Sequence, residues 1–407
     1  MGFVNIQSVL MYDSLDSVHN LYVKDENLTY VSANSVTKNM DSQIIEKNVK
    51  EFDACIDENN AIILLCKTGN NQLVLHEISN KKDHRKVVGD RLKPGLEDVH
   101  VFGNKDDINV IYTLPDEKYR DSYYIMHSHY KQGEWENTEA GRYMSQGLLN
   151  NEIKVYEAEQ IFIGFVEYRD NKSCFRVRRY DGKNWSKDLL RVEKNQEVYW
   201  YDFQKNGELF EFAYASKADD QFQIQYEAYD KNNDIVYHHE LSNPSSCMHP
   251  VFVSYRGEQF IAWVELDYVL SCRMHNDRRY FDGPYRWKES KNSDFLMYKF
   301  CYNNERIKNK LGLSCSRVYG SFPSYSLIGF GNMKNNVEAV PIEKRKSSGG
   351  EQMEQGKKPS TEKEKQVEAA REPSLAEKVN TLKKRAEDIE NYFKRKSRSG
   401  GLFGQRR

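Results

Sequence analysis

Apolar and polar positions alternate with a period of two in short runs from residue 3 to about residue 342, and each run gives way to a turn rich in Asn, Asp, Gly or Glu. Alternation of this kind puts one face of an extended segment in a core and the other in water, as in antiparallel sheet. Five segments beginning near 51, 97, 152, 197 and 248 can be laid over one another. Each opens with an alternating run: FDACIDEN, DVHVFGNKDD, EIKVYEAEQ, VYWYDFQKNG and HPVFVSYRGE. A second apolar run follows (AIILLCKT, INVIYTL, IFIGFVEY, LFEFAYAS, QFIAWVEL), then a third (QLVLHEIS, YYIMHSHY, CFRVRRYD, FQIQYEAY, FLMYKFCY). A weaker fourth run closes most units, as in EWENTEAG and NWSKDLLR.

Four short strands repeating about every 45–50 residues suit the blade of a β-propeller, because a blade covers both of its faces only by packing against neighbours around a ring. The expected fold is therefore all-β, a β-propeller of six or seven four-stranded blades over residues 1–342. The ends favour seven. SLIGFGNMKNNVEAVPI (326–342) resembles the opening of the unit at 97, residues 3–12 form an isolated apolar strand, and 18–50 form a partial unit. The last blade is expected to take strands from both 326–342 and 3–12. Trp135, Trp185, Trp200 and Trp263 fall at turns or inner strands, where packing between blades is expected.

With its Tyr- and Trp-rich four-stranded units the chain resembles sialidase-like and other non-WD propellers, in architecture alone. The GH…WD signature of WD40 units is missing, as is the paired glycine of kelch units. RYDGKNW (179–185) approaches the sialidase Asp-box, but Asp181 and Gly182 are adjacent rather than separated. No family residues carry over.

Composition narrows the class. Aromatics are 13% of the 407 residues and charged side chains 30%, too aromatic for a disordered chain and too polar for a membrane-spanning one. The net charge of −1 hides a split: from Glu343 onward 18 basic side chains face 11 acidic ones, a net of +7, which leaves −8 on the first 342 residues. Seven widely spaced cysteines without a CxxC pair read as small core residues in a reducing compartment. The start, MGFVNIQSVLMYDS, has no basic region and fits neither a signal peptide nor a myristoylation site, so a cytoplasmic location is expected.

Candidate chemistry concentrates in one place. The segment DYVLSCRMHNDRRYFDGPYRWKESKNS (267–293) reads as an insertion between the second and third strands of the unit at 248. Its Arg273, His275, Arg278, Arg279, Tyr280, Tyr285, Arg286 and Trp287 are residue types that dominate binding surfaces, and Arg forks grip carboxylate, phosphate or sulfate. His127 and His129 share a strand face, but no third metal ligand accompanies them. No P-loop, GxSxG or HExxH occurs, so no catalytic residue is assigned, no cofactor or metal is expected, and an enzyme is less expected than a binding protein.

The tail changes character. Residues 343–373 lack aromatics and read as a disordered linker. At 374–396, Ser374 and Glu377 form a capping box, and Leu375, Val379, Leu382, Ala386, Ile389 and Phe393 make an a/d stripe, so a short coiled-coil helix is expected. Residues 397–407 form a basic disordered terminus with Leu402 and Phe403 as docking anchors. Specific nucleic-acid binding is not expected. The first functional expectation is a non-enzymatic scaffold that binds a protein partner at the propeller, with the tethered helix oligomerising or docking. The second is a carbohydrate-binding or sialidase-like propeller, which requires Arg and acidic side chains from at least three blades to converge on a central pocket.

Overall fold

The computed structural model describes residues 2–342, apart from 35–36, 38–39, 80–81, 90–94, 146–151, 158–159, 171, 219 and 292. The linker, the a/d helix with Leu375 to Phe393, and the Leu402–Phe403 terminus lie outside the described residues.

Period-two alternation becomes six antiparallel meanders of four strands, at 8–47, 49–89, 97–144, 154–194, 198–240 and 247–287. The first strands lie innermost and the fourth outermost. The second strand Ile62–Thr68 is buried along almost its whole length, whereas the fourth strand Lys82–Gly89 is largely exposed. Charge on such an outer edge discourages pairing with other chains.

Six clusters of buried side chains close the architecture, each straddling two neighbouring sheets. Val9 and Leu21 meet Phe52 and Leu64; Ile63 and Leu65 meet Val101 and Ile108; Ile111 and Ile125 meet Ile163 and Phe165. Phe175 meets Phe203 and Phe212; Ile224 and Tyr226 meet Ile261 and Trp263. The last cluster joins Phe260 and Val264 of the sixth meander to Phe295 and Tyr298, and returns to Leu10 of the first. Sheets packed face to face in a circuit make this a β-propeller. Trp263 is fully buried between blades as expected, and Trp185 wedges against His127 and Tyr180 across the third and fourth.

The closure differs from the expectation. Residues 3–12 and the start of 326–342 do share one seven-stranded sheet, but they are not neighbours in a last blade of four strands. Ser8–Tyr12 is the inner strand of a complete first meander, and its inner edge pairs in parallel with Phe295–Tyr302, from Val9 opposite Lys299 to Tyr12 opposite Tyr302. Phe295–Tyr302, Arg317–Ser321 and Leu327–Ile328 form a three-stranded closing sheet, continuous with the first blade. Val337–Ala339 instead covers the outer edge of the sixth blade.

The 267–293 insertion is likewise corrected. Tyr268–Met274 and Phe281–Trp287 are the third and fourth strands of the sixth blade. Their polar residues hid the alternation: Arg273 stands opposite Asp282 across the strand pair, so a charged side chain inside the strand has its counter-charge in register. FLMYKFCY, read as the third strand of this unit, opens the closing sheet.

Candidate functional site

The residues first expected to bind a partner divide between packing and surface. Arg273 reaches Asp282 at 2.6 Å and Glu258 at 3.1 Å, and His275 reaches the other oxygen of Asp282 at 3.0 Å. Arg278 contacts the fully buried Glu211 at 2.5 Å, while its carbonyl accepts from the His239 ring at 2.9 Å. Arg286 lies over the Tyr268 ring, and Trp287 is buried with its indole N–H donating to Ser271 at 2.8 Å. Tyr285 is half-buried, and Arg279 and Tyr280 stand exposed at the hairpin tip. None of the eight lines the cavity on the propeller axis.

His127 and His129 are also satisfied internally. The Trp185 indole donates to His127 Nδ1 at 3.3 Å, so Nε2 carries the ring proton and donates to Asn109 at 3.0 Å; His129 reaches Asp107 at 2.7 Å. Burial lowers the pKa of His127 to about 4, keeping it neutral.

Convergence occurs on the propeller axis, in a cavity of about 510 Å³. Glu51 and Asp53 come from the second blade; Glu97, Asp98, His100, Tyr123 and Tyr143 from the third; Glu152 from the approach to the fourth; Lys299 and Arg317 from the closing sheet. Period two explains the selection. Glu51 and Asp53 sit two apart on one inner strand, and Lys299 and Arg317 face each other on paired strands of the closing sheet.

Three ion pairs, made by Lys299, Lys154 and Arg317, form the basic side of the site. Lys299 donates to Asp53 at 2.5 Å and to the Val101 carbonyl at 3.1 Å. Glu152 accepts from Lys154 at 2.6 Å and from Arg317 at 2.7 Å, with 35% of its side chain still open to the cavity. Burial disfavours the Glu152 carboxylate, but the Lys154 and Arg317 charges outweigh it and hold its pKa well below the usual range. Burial also opposes the Lys299 ammonium, and Asp53 more than compensates.

The acidic wall behaves differently. Glu51 accepts the Val99 N–H at 2.6 Å, yet burial first, and the Asp98 charge in addition, raise its pKa to about 7. Asp98 pairs with His100 at 3.0 Å and accepts the Ile153 N–H. Tyr123 and Tyr143 stack with centroids 5.6 Å apart, Tyr143 buried and Tyr123 half-buried at the wall. Carboxylates, fixed cations and aromatic faces thus line one concave space, the equipment of a pocket for a polar organic ligand.

The sequence reading missed these residues. One signal was present: Glu51, Glu97, Glu152 and Glu197 each open an aligned unit. The fourth is engaged elsewhere, by the Tyr168 and Tyr199 hydroxyls at 2.8 and 2.7 Å.

No protein-family model matches the chain, and no curated protein matches it. Solved structures match in fold. One is the fungal lectin of Aleuria aurantia, described as a six-bladed β-propeller with a fucose recognition mode: 10% identity, 68% of this chain and 93% of that one, TM-score 0.42. A protein of Arthrobotrys oligospora shares 6% identity over 67% of this chain and 83% of its own, TM-score 0.41. A polysaccharide lyase, an ulvan lyase bound to an oligosaccharide, shares 13% identity over 65% of this chain and 77% of its own, TM-score 0.44. The expectation of a protein-binding scaffold resting on the Arg-rich segment is corrected by the chain itself: most of that segment is built into the sixth blade, with Arg273 and Arg278 held in internal ion pairs.

Proposed function

We propose that the chain is a carbohydrate-binding propeller and that the axial cavity receives the glycan. The observation that carries this reading is the convergence of acidic, basic and tyrosine side chains from three blades and the closing sheet on one space. A sugar presents hydroxyls that donate and accept, and apolar C–H faces. Glu97, Asp98 and Glu51 supply acceptors, the Tyr123 ring supplies a flat apolar surface, and the ion-paired wall supplies fixed geometry with little to reorganise on binding. In architecture, we read the ring as six full blades closed by the three-stranded sheet in the seventh place.

Calorimetric titration with a panel of mono- and oligosaccharides tests the reading. A saccharide should bind to the unmodified chain, and Tyr123→Ala or Glu97→Gln should weaken it by about tenfold or more, equivalent to about 1.4 kcal/mol each. Absence of binding across the panel, or affinity untouched by both substitutions, would refute it.

A further inference from the structure

The inner strands of four blades are irregular at the same place, near their beginnings. Register slips between Val49 and Glu51 in the second blade, between Val198 and Trp200 in the fifth and between Met248 and Val251 in the sixth; in the third, Asp98 and Val99 together stand opposite Tyr112. Asp98 and His249 take left-handed φ values of 55° and 52° there. Bulges of this kind re-aim side chains. In the second and third blades they deliver acids of the axial cavity, Glu51 and Asp98. In the fifth and sixth they deliver rings, Tyr199, Trp200 and His249.

These rings continue outward from the cavity. Phe3, which lines it, has its centroid 5.5 Å from that of His249; His249 lies 5.3 Å from Trp200, Trp200 5.1 Å from Phe222, and Phe222 4.9 Å from Tyr199. All five rings are half-buried, so each keeps part of its surface in water. Glu152, Met297 and Arg317 border both the axial cavity and a small space of about 10 Å³ lined by Trp200 and His249, so the row and the cavity are continuous. The row is also fixed in place. The Tyr199 hydroxyl donates to Glu197 at 2.7 Å, the Tyr319 hydroxyl donates to the His249 carbonyl, and Phe222 exchanges N–H to carbonyl bonds with Ser245 at 2.7 and 2.8 Å. Burial lowers the pKa of His249 to about 4, so its ring is neutral and joins the row as an aromatic face. Rings held in advance lose little freedom when a ligand lies on them.

We propose that this row extends the axial site and receives further units of a glycan chain, and that the ligand is an oligosaccharide of β-linked pyranoses with equatorial hydroxyls, of the glucan or chitin type. The inference rests on the axial cavity being the glycan site proposed above. Equatorial hydroxyls leave axial C–H bonds on both faces of the sugar, and such faces pack on aromatic rings while the hydroxyls point outward to water. The cavity, with its carboxylates and cations, holds the end unit through hydrogen bonds; the row, whose rings carry no charge, holds the units that follow through apolar contact.

The test is calorimetric titration of the full chain with cello-oligosaccharides and chito-oligosaccharides from monomer to hexamer, beside the wider saccharide panel. In one of the two series affinity should rise at least about tenfold with length. Trp200→Leu, which keeps an apolar side chain but removes the flat ring, should abolish most of that rise and leave the affinity for the shortest binding member unchanged, whereas Tyr123→Ala should weaken every length alike. Equal affinity at all lengths, a length dependence untouched by Trp200→Leu, or binding of other panel sugars with neither series bound would overturn the extension and leave the axial site standing. A dimer in solution that Trp200→Leu dissociates would assign the row to a second copy of the chain and overturn it too. No binding anywhere in the panel would refute the axial reading, and the extension with it. If Trp200→Leu does not fold, Phe222→Leu and the length series on the unmodified chain decide.

Discussion

At the scale of single residues, the acidic side chains of this protein have two architectural jobs. In turns they bind backbone N–H groups a few residues on: Asp13 accepts from Leu15 and Ser17, Asp57 from Asn59 and Ala61, and Asp230 from Asn232 and Asp234, all at 2.7–3.0 Å. Such Asx turns were legible in the sequence, because Asp and Asn between alternating runs signal a turn by a local mechanism. Between blades they reach further. Asp53 accepts the Val101 N–H at 2.7 Å, and Asp202 accepts the Phe252 N–H at 2.8 Å. These clamps were not legible one residue at a time, since each partner lies a full repeat away, 48 and 50 positions along.

Glu227 shows what such a carboxylate contributes. It is 2% exposed, held by Lys194 at 2.6 and 2.7 Å and by His238 at 3.0 Å, and it accepts from the Tyr229 hydroxyl. Burial disfavours its charge, but the bonds from His238, Lys194 and Tyr229 outweigh it and lower its pKa from 4.5 to about 2. A folded-state pKa below the unfolded one stabilises the fold above the unfolded value, and that stability is lost as pH falls through the folded value, here between about 4.5 and 2. The shift corresponds to about 3 kcal/mol at most. Urea unfolding at pH 6 and pH 3 should show Glu227→Gln less stable than the parent at pH 6 and the gap narrowing at pH 3. A gap of the same size at both pH values would rule out this linkage.

At the scale of elements, the sixth blade and the closing sheet separate what pattern can and cannot reveal. The second strands were plain from their apolar runs. Tyr268–Met274 and Phe281–Trp287 were not, because Arg273 and Asp282 satisfy each other inside the sheet and so imitate a polar loop. Arg278 and Arg279 distinguish the two readings of that segment. Arg278→Ala leaves the fully buried Glu211 without its cation and should cost about 3–5 kcal/mol in urea unfolding, whereas Arg279→Ala, at an exposed tip, should change stability by less than about 0.5 kcal/mol. Equal effects would contradict the placement. The parallel pairing of Ser8–Tyr12 with Phe295–Tyr302 was hidden for another reason: nothing local marks which of several inner strands will meet. Leu10, fully buried where the first blade, the sixth and the closing sheet meet, is the test of that seam. Leu10→Ala should cost about 2–5 kcal/mol by thermal or urea unfolding. A loss below about 1 kcal/mol would mean the seam is not packed as described.

At the scale of the whole molecule, the repeat was the most legible feature, because it recurs in five alignable units and needs no long-range information. The site was the least legible. The cavity draws its residues from several blades, so Glu51, Glu97 and Glu152, each unremarkable beside its neighbours, meet only after the ring closes. The conspicuous cluster at 273–287 was conspicuous because it was contiguous, and most of its charge is used within its own blade or against the next. The function proposed for this ring places the ligand on its axis rather than on its rim. A crystal structure of the chain with the tightest-binding saccharide of the panel decides between the two. A sugar ring should lie in the axial cavity, against Tyr123 and within hydrogen-bond distance of Glu97 or Asp98; a sugar seated on the outer strands or between blades, with the axis empty, would overturn the proposal.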